Sequence, residues 1–159
     1  RIEFRQFLAR KKVNTGWITL IRRSQRLLDD TIAGNSDDVA AALEEIRGEQ
    51  YAPQYYNNEQ ALRAVVKYAY IAAFGRYVRI EEMPSGKGIV DVVFIPVSSS
   101  GLPAMVIELQ WNKTSGGAIA QIKNKKYTAA LKPFVSNILL VGINYDEKTK
   151  VHTCKIERI

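Results

Sequence analysis

The chain has 159 residues with an apolar fraction of 47%, enough for one domain with a real core, so neither disulfides nor a structural metal is required to stabilise it. The single cysteine, Cys154, excludes an internal disulfide and fits a reducing compartment. No apolar run reaches the length of a membrane span, and no secretory leader is visible at the start. We therefore expect a cytoplasmic protein that does not interact with membranes.

The net charge of +7 is unevenly distributed along the chain. Residues 113 to 159 carry nine basic and three acidic side chains, whereas residues 58 to 112 carry five of each. A clustered basic surface is typical of proteins that bind a phosphate backbone. A solvated, lysine-rich surface gives the same composition, so charge alone does not decide between the two interpretations.

Residues 1 to 50 are predicted to be helical. Gly34 and Asn35 end the first helix, and Ser36 begins the second, with Asp37 in its first turn, where a carboxylate favours the helix dipole. The first helix is expected to bury one apolar stripe, made of Trp17, Leu20, Ile21, Ser24, Leu28 and Ile32. Residues 51 to 57 are interpreted as a connection to the rest of the chain.

The remaining pattern predicts a mixed α/β sheet with helices packed on its faces. Asn58 is a good N-cap for a helix over residues 59 to about 74. A second helix is expected after Gly116 and Gly117 and extends to about residue 131. Strands are predicted over residues 76–83, 89–97, 104–111, 137–144 and 150–157.

Two carboxylates, Asp91 and Glu108, interrupt otherwise apolar strands. A buried carboxylate is costly unless it is paired, hydrogen-bonded or bound to a cation. The loop between the two strands centres near residue 100, so antiparallel pairing places Asp91 and Glu108 opposite each other or one step apart. Glu108 and Gln110 share one strand face, since side chains alternate along a strand.

Two facing carboxylates repel each other unless a cation lies between them, and an oxygen-only ligand set favours Mg²⁺ or Mn²⁺ over zinc. The alternative is that Asp91 and Glu108 separately satisfy basic side chains or backbone donors. Glu59 is a candidate third member of the group. It also fits the ordinary role of a first-turn glutamate beside the helix dipole, and the pattern leaves both interpretations open.

The ordered set Glu59, Asp91 and Glu108-Leu109-Gln110 resembles the catalytic motif of the PD-(D/E)XK nuclease superfamily. The surrounding sequence is similar to one branch, the nuclease-like C-terminal domain of bacterial proteins that begin with an AAA-ATPase-like domain. The segments that carry this second similarity are Ser85-Gly86-Lys87-Gly88, Gln121-Ile122, Tyr127 and the strand LLVGINYD. The resemblance covers about residues 57 to 157.

The resemblance implies a restriction-endonuclease-like mixed β-sheet flanked by helices over residues 57–159, preceded by a small helical segment over residues 1–56. It implies a nuclease acting on DNA phosphodiesters, with a divalent ion held by Asp91, Glu108 and the backbone carbonyl of Leu109. It also implies an ATPase-like domain that precedes this segment in the same protein. Gln121 belongs to the expected catalytic set.

The sequence departs from the family motif at Gln110, which stands where lysine is usual. In the family that lysine is thought to orient or activate the attacking water, which a neutral glutamine cannot do through charge. The chain is therefore expected to be either a nuclease of doubtful activity or an inactive nuclease-fold module that binds nucleic acid or regulates the ATPase-like domain.

Lys125 is a candidate replacement for the missing cation. It lies four residues after Gln121 on the same helix face, from which an ammonium group could enter the site. The alternative is that Lys125 belongs to a solvated run with Lys123 and Lys126.

His152 has no second histidine or cysteine ligand suitable for zinc and is expected to be an exposed strand residue.

Overall fold

The computed structural model describes residues 11–50, 55–85, 88–97, 101–125, 131–132 and 137–159. Two helices come first, α1 over Lys11–Ala33 and α2 over Ser36–Gln50. The break between them lies where it was predicted, because Gly34 adopts a φ of 82°, a left-handed conformation that favours glycine. The amide of Asn35 then donates to the carbonyl of Asp30 at 2.8 Å, which closes the end of α1.

The apolar stripe predicted for α1 is only half correct. Ser24 and Leu28 are buried as expected, but Trp17 and Ile21 are 51% and 43% exposed. The described part of the chain packs against the second half of α1, where the buried positions are Ser24, Leu27, Leu28 and Thr31. Helical periodicity shows which side chains share a face of the helix, but it does not show how far along the helix a neighbour extends.

The third helix, α3, spans Glu59–Ala69 and ends earlier than predicted, followed by a 3₁₀ turn over Ile71–Ala73. Asn58 caps its start, since its side-chain oxygen accepts from the amide of Ala61 at 2.9 Å. At the other end, the amide of Ala72 donates to the hydroxyl of Ser24 at 2.8 Å. This contact with α1 lies in the 3₁₀ turn, where the chain has already left the α-helical conformation of α3. The local sequence does not reveal such a long-range contact.

The sheet has five strands in the order β1-β2-β3-β4-β5. Their bounds are Tyr77–Ser85, Gly88–Pro96, Ala104–Trp111, Ile138–Asp146 and Val151–Arg158. Only β3 and β4 pair in parallel, and every other neighbouring pair is antiparallel. The predicted mixed α/β sheet with flanking helices is therefore confirmed. Gly86 and Lys87, from the segment that carries part of the family similarity, lie outside the described residues.

Both faces of the sheet are covered by helices. One face shares its core with α1, α2 and α3, including Leu28, Leu43 and Val66. The other face packs against α4, which spans Ser115–Asn124, through Ile119 and Ile122. The middle strand β3 is buried from Ala104 to Gln110, which explains its nearly continuous apolar sequence.

Helix α4 begins before the two glycines that were expected to precede it. Thr114 is its N-cap, and its hydroxyl accepts from the amide of Gly117 at 2.9 Å, so both glycines lie in the first turn. Sequence reasoning assigned the glycines to a loop because they are poor helix formers. The predicted continuation through residues 126 to 130 lies outside the described residues.

Gly142 allows α4 to lie directly on β4. A Cβ atom at this position would be 2.4 Å from the carbonyl oxygen of Ser115 and 3.0 Å from the Cβ of Ala118. The backbone of the helix therefore occupies the space that a side chain would need. Since Glu108 faces Gly142 in the parallel register, this close contact fixes α4 beside the buried carboxylate.

Gly142→Ala is expected to destabilise the protein by about 1–3 kcal/mol, because the helix must move away from the sheet. Gly48 provides the matched control, since it lies in α2 and a Cβ there would meet nothing within 4 Å. Urea unfolding of both variants measures the effect. The close-packing explanation would be rejected if Gly142→Ala proved as stable as Gly48→Ala.

His152 is buried, so the expectation of an exposed residue is wrong. It is only 2% exposed, and its Nδ1 lies 2.8 Å from Glu44 Oε1 while its Nε2 lies 2.7 Å from the hydroxyl of Tyr56. These contacts fit a neutral imidazole that donates to Glu44 and accepts from Tyr56. The error arose because α2, which supplies Glu44 and covers this side of β5, was interpreted as part of a helical segment that only precedes the sheet.

The contribution of neutral, buried His152 to stability is expected to fall as the pH drops through about 6.5, the ordinary pKa of histidine. Burial lowers the pKa of His152 below that value, although Glu44 opposes the shift. In this range the unfolded chain binds a proton that folded His152 does not, so acid favours unfolding. Urea unfolding between about pH 8 and about pH 5 measures this effect. Equal pH slopes for wild type and His152→Phe would contradict the assignment.

Candidate active site

The strand register brings the two carboxylates together as predicted. Strands β2 and β3 pair through Val92 and Ile107, Val93 and Val106, and Phe94 and Met105. Asp91 and Glu108 are the next residues on the two strands, and both residues are buried, at 8% and 3% exposure. Beyond Val92 the pairing gives way to a side-chain contact, in which Oδ2 of Asp91 accepts from the amide of Leu109 at 2.9 Å.

Asp91 has a second partner that the sequence did not suggest. Its Oδ1 accepts a hydrogen bond from the guanidinium group of Arg63. Arg63 lies on α3, one turn after Glu59, and both side chains of this ion pair are largely shielded from water. Arg63 lies four residues after Glu59, and residues at this spacing share a helix face. This spacing was the signal in the sequence that could have identified Arg63 as a site residue.

Glu108 has one satisfied and one unsatisfied oxygen. Its Oε1 lies 2.7 Å from Nζ of Lys125, while its Oε2 is buried and has no hydrogen-bond partner among the described residues. Burial raises the pKa of Glu108 to about 7, and the negative charge of Asp91 adds to this effect while Lys125 opposes it. The site therefore disfavours a negative charge on Glu108 that no cation neutralises. Of the two carboxylate oxygens of Glu108, Oε2 is the one left to bind a ligand.

Lys125 enters this site from the end of α4. It is the C-cap residue of the helix, and its side chain is 23% exposed because it folds inward to reach Glu108. Lys123 instead extends over the surface to Glu157 at 2.6 Å. The interpretation of Lys125 as part of a solvated run is thus wrong, since the helix directs neighbouring lysines to different surroundings.

Glu59 lies near the site without joining the two carboxylates. Burial and the charge of Asp91 raise its pKa, whereas Arg63, Lys113 and Lys125 oppose the shift. Its side chain is nonetheless exposed. In the part of the chain that the structure describes, no three or more histidine, cysteine, aspartate or glutamate side chains are placed to hold a metal ion.

Gln110 occupies the motif position as a buried residue, 4% exposed. It pairs in register with Asn144 on β4, another buried amide that sequence reasoning missed. The side-chain oxygen of Asn144 accepts from the amide of Lys113 at 2.9 Å and so fixes the segment between β3 and α4. Gln121 is half-buried on α4, and its backbone carbonyl accepts from the amide of Lys125.

The mixed sheet has helices on both faces and carries two adjacent carboxylates on neighbouring strands. This is the architecture of a restriction-endonuclease-like fold. The family model of the PD-(D/E)XK nuclease superfamily matches residues 57–155. The chain belongs to this superfamily. A search of curated proteins finds no match. Among the described residues, no helix has both the length and the apolar character needed to cross a membrane.

Enzymes of this superfamily usually use divalent metals, and the residues present here fit such an ion. The donor set consists of carboxylate oxygens, which hard cations prefer, and Glu108 Oε2 is a buried acceptor with no described partner. Arg63 and Lys125 already provide positive charge at Asp91 and Glu108. A divalent ion would therefore bind beside these cations and compete with them for carboxylate oxygens.

Proposed function

We propose that the chain is a metal-dependent phosphodiesterase that acts on DNA, in which Lys125 replaces the motif lysine that Gln110 lacks. One observation carries the proposal: the Nζ of Lys125 lies 2.7 Å from Glu108, the carboxylate two residues before Gln110. A cation is thereby available at the motif carboxylate, although it comes from α4 rather than from β3.

Asp91, Glu108 and the backbone carbonyl of Leu109 are the proposed ligands of Mg²⁺ or Mn²⁺. When bound, such an ion would polarise the phosphodiester and lower the pKa of a nearby water. In hydrolysis a water oxygen bonds to phosphorus, the phosphorus–oxygen bond to the leaving group breaks, and negative charge develops on the phosphate oxygens. The ammonium group of Lys125 is placed to stabilise that charge.

Other residues of the chain hold the reacting groups in place. Arg63 and the amide of Leu109 fix the two oxygens of Asp91, so the carboxylate needs little reorganisation on binding. Glu59, Gln110 and Gln121 are the other proposed members of the catalytic set. The exposed lysines of α4 and β5, including Lys123 and Lys155, provide positive charge for the DNA backbone.

A second candidate function is an inactive nuclease-fold module that binds nucleic acid or regulates an attached ATPase-like domain. The observation that favours it is that Arg63 and Lys125 already neutralise the two carboxylates. If these ion pairs persist when metal is present, Glu108 Oε2 is the one oxygen of the two carboxylates left without a described partner, which is too few ligands for a divalent ion, and the carboxylates serve only structure.

Incubation with supercoiled plasmid and with single-stranded DNA, in Mg²⁺ or Mn²⁺, distinguishes the two functions. The proposed enzyme nicks or degrades at least one of these substrates, and EDTA stops the reaction. DNA binding without cleavage in either metal would reject the enzyme and favour the binding module.

A further inference from the structure

An aromatic pocket lies beside the candidate active site. The pocket has a volume of about 660 Å³ and is formed by α3, the 3₁₀ turn, β1 and β2. Its floor consists of three buried rings, those of Tyr70, Tyr77 and Phe94. This volume falls within the range of sites that bind small molecules or single groups of larger ligands.

The rim of the pocket exposes an aromatic ring to solvent. Phe74 is 91% exposed, the highest value among the large apolar side chains described. It lies just before Gly75, whose φ of 94° turns the chain into β1. A ring held in water at the mouth of an aromatic pocket offers a surface for stacking against another flat group.

The charges around the pocket favour an anionic ligand. Lys67 and Arg79 line it. Burial raises the pKa of the Tyr77 phenol, and the nearby charge of exposed Arg76 opposes this shift. Glu81 is the opposing carboxylate, at 2.8 Å from Lys67 and 3.8 Å from Arg79. Among the side chains that the structure describes here, three cations against one carboxylate leave a net positive rim.

The pocket is connected with the active site along α3. Lys67 follows Arg63 by one turn of this helix, a rise of about 6 Å, and Arg63 contacts Asp91. Phe94 follows Asp91 by three residues of β2, so its ring lies on the other face of the sheet, the face that α3 covers. A nucleic-acid strand bound at Asp91 would therefore need only a few nucleotides to reach the pocket.

We infer that this pocket, which combines aromatic rings with positive charge, binds an unpaired base of the nucleic-acid substrate. The inference rests on the proposed function and extends it, because it assigns the substrate class as DNA with a single-stranded segment next to the cleaved phosphodiester. The base stacks on Phe74 while Lys67, Arg76 and Arg79 attract the flanking phosphates. Double-stranded DNA keeps its bases stacked on one another and leaves the pocket empty.

The test compares the affinity of the full chain for a fluorescein-labelled oligothymidylate and for a duplex of equal length, in EDTA so that nothing is cleaved. Phe74→Ala should weaken binding of the single strand about tenfold and leave duplex binding unchanged. Phe74→Trp should keep the wild-type affinity. Tyr55→Ala is the matched control, because Tyr55 is 66% exposed and does not line the pocket.

The inference is overturned if wild type does not bind the single strand, if Phe74→Ala binds it as tightly as wild type, or if Phe74→Ala weakens single strand and duplex equally. Thermal melting of each variant verifies folding, which an exposed residue should not affect. Plasmid cleavage in Mn²⁺ by the same preparations separates the two proposals. Cleavage without a Phe74 effect rejects only the pocket, and a Phe74 effect without cleavage rejects only the nuclease.

Discussion

Lys125→Ala is expected to reduce metal-dependent DNA cleavage by about a hundredfold or more, since it removes the cation that stabilises charge in the transition state. Gln110 cannot take over this function, because an amide carries no charge. The effect should appear in the rate of cleavage at saturating DNA rather than in DNA affinity. Single-turnover cleavage of a labelled substrate measures it.

Lys123→Ala is the matched control for this prediction. Lys123 lies on the same helix and contacts Glu157 at the surface, so its loss should weaken DNA binding slightly and leave the cleavage step intact. The assigned function of Lys125 would be wrong if the two variants lost activity to the same extent.

Metal binding should disappear when both buried carboxylates are replaced by amides of the same shape. Asp91→Asn with Glu108→Gln keeps the packing but removes the two negative charges that attract a divalent ion. We expect wild type to release or absorb measurable heat on titration with Mn²⁺ and the double variant to give none. Isothermal titration calorimetry without DNA measures this independently of catalysis.

Glu81→Gln provides the control for the titration. Glu81 is a carboxylate on β1 that pairs with Lys67 outside the proposed metal site, so its loss should leave the Mn²⁺ affinity unchanged. Equal binding by wild type and the Asp91→Asn, Glu108→Gln protein would mean that the ion binds elsewhere. The Arg63 and Lys125 ion pairs would then neutralise the two carboxylates without a metal ion.

The sheet could be predicted from sequence because its signals are local. Continuous apolar runs identified β2, β3 and β4, and the midpoint of the β2–β3 loop gave a register that the structure confirms. A buried carboxylate on each of two neighbouring strands then located the candidate site. Asp91 and Glu108 were recognisable because charged residues are rare in strands covered on both faces.

The partners of these carboxylates could not be predicted in the same way. Arg63 is a helix residue 28 positions from Asp91, and no local rule decides whether its long side chain points to solvent or to the sheet. Lys125 presented the same ambiguity until the packing of α4 on Gly142 was known. Both answers depend on how a helix is placed over the sheet, which is a tertiary property.

The burial of His152 could not be predicted from the local sequence either. Its strand has an alternating pattern typical of an edge with one exposed face, and a lone histidine carries little information. Helix α2 covers that position and supplies Glu44, while Tyr56 contributes its hydroxyl from the segment before α3. Burial of His152 follows from the packing of residues that are about a hundred positions away in sequence.

The central claim is that Lys125 replaces the motif lysine. Moving the cation back to β3 tests this claim most directly. Nicking of supercoiled plasmid in Mn²⁺ is compared for wild type, Lys125→Ala, Gln110→Lys and the protein that carries both substitutions. If Lys125 replaces the motif lysine, Lys125→Ala is inactive, Gln110→Lys adds little to wild type, and the double substitution recovers much of the lost activity. Full activity of Lys125→Ala, or no cleavage by any of the four proteins, would contradict the account.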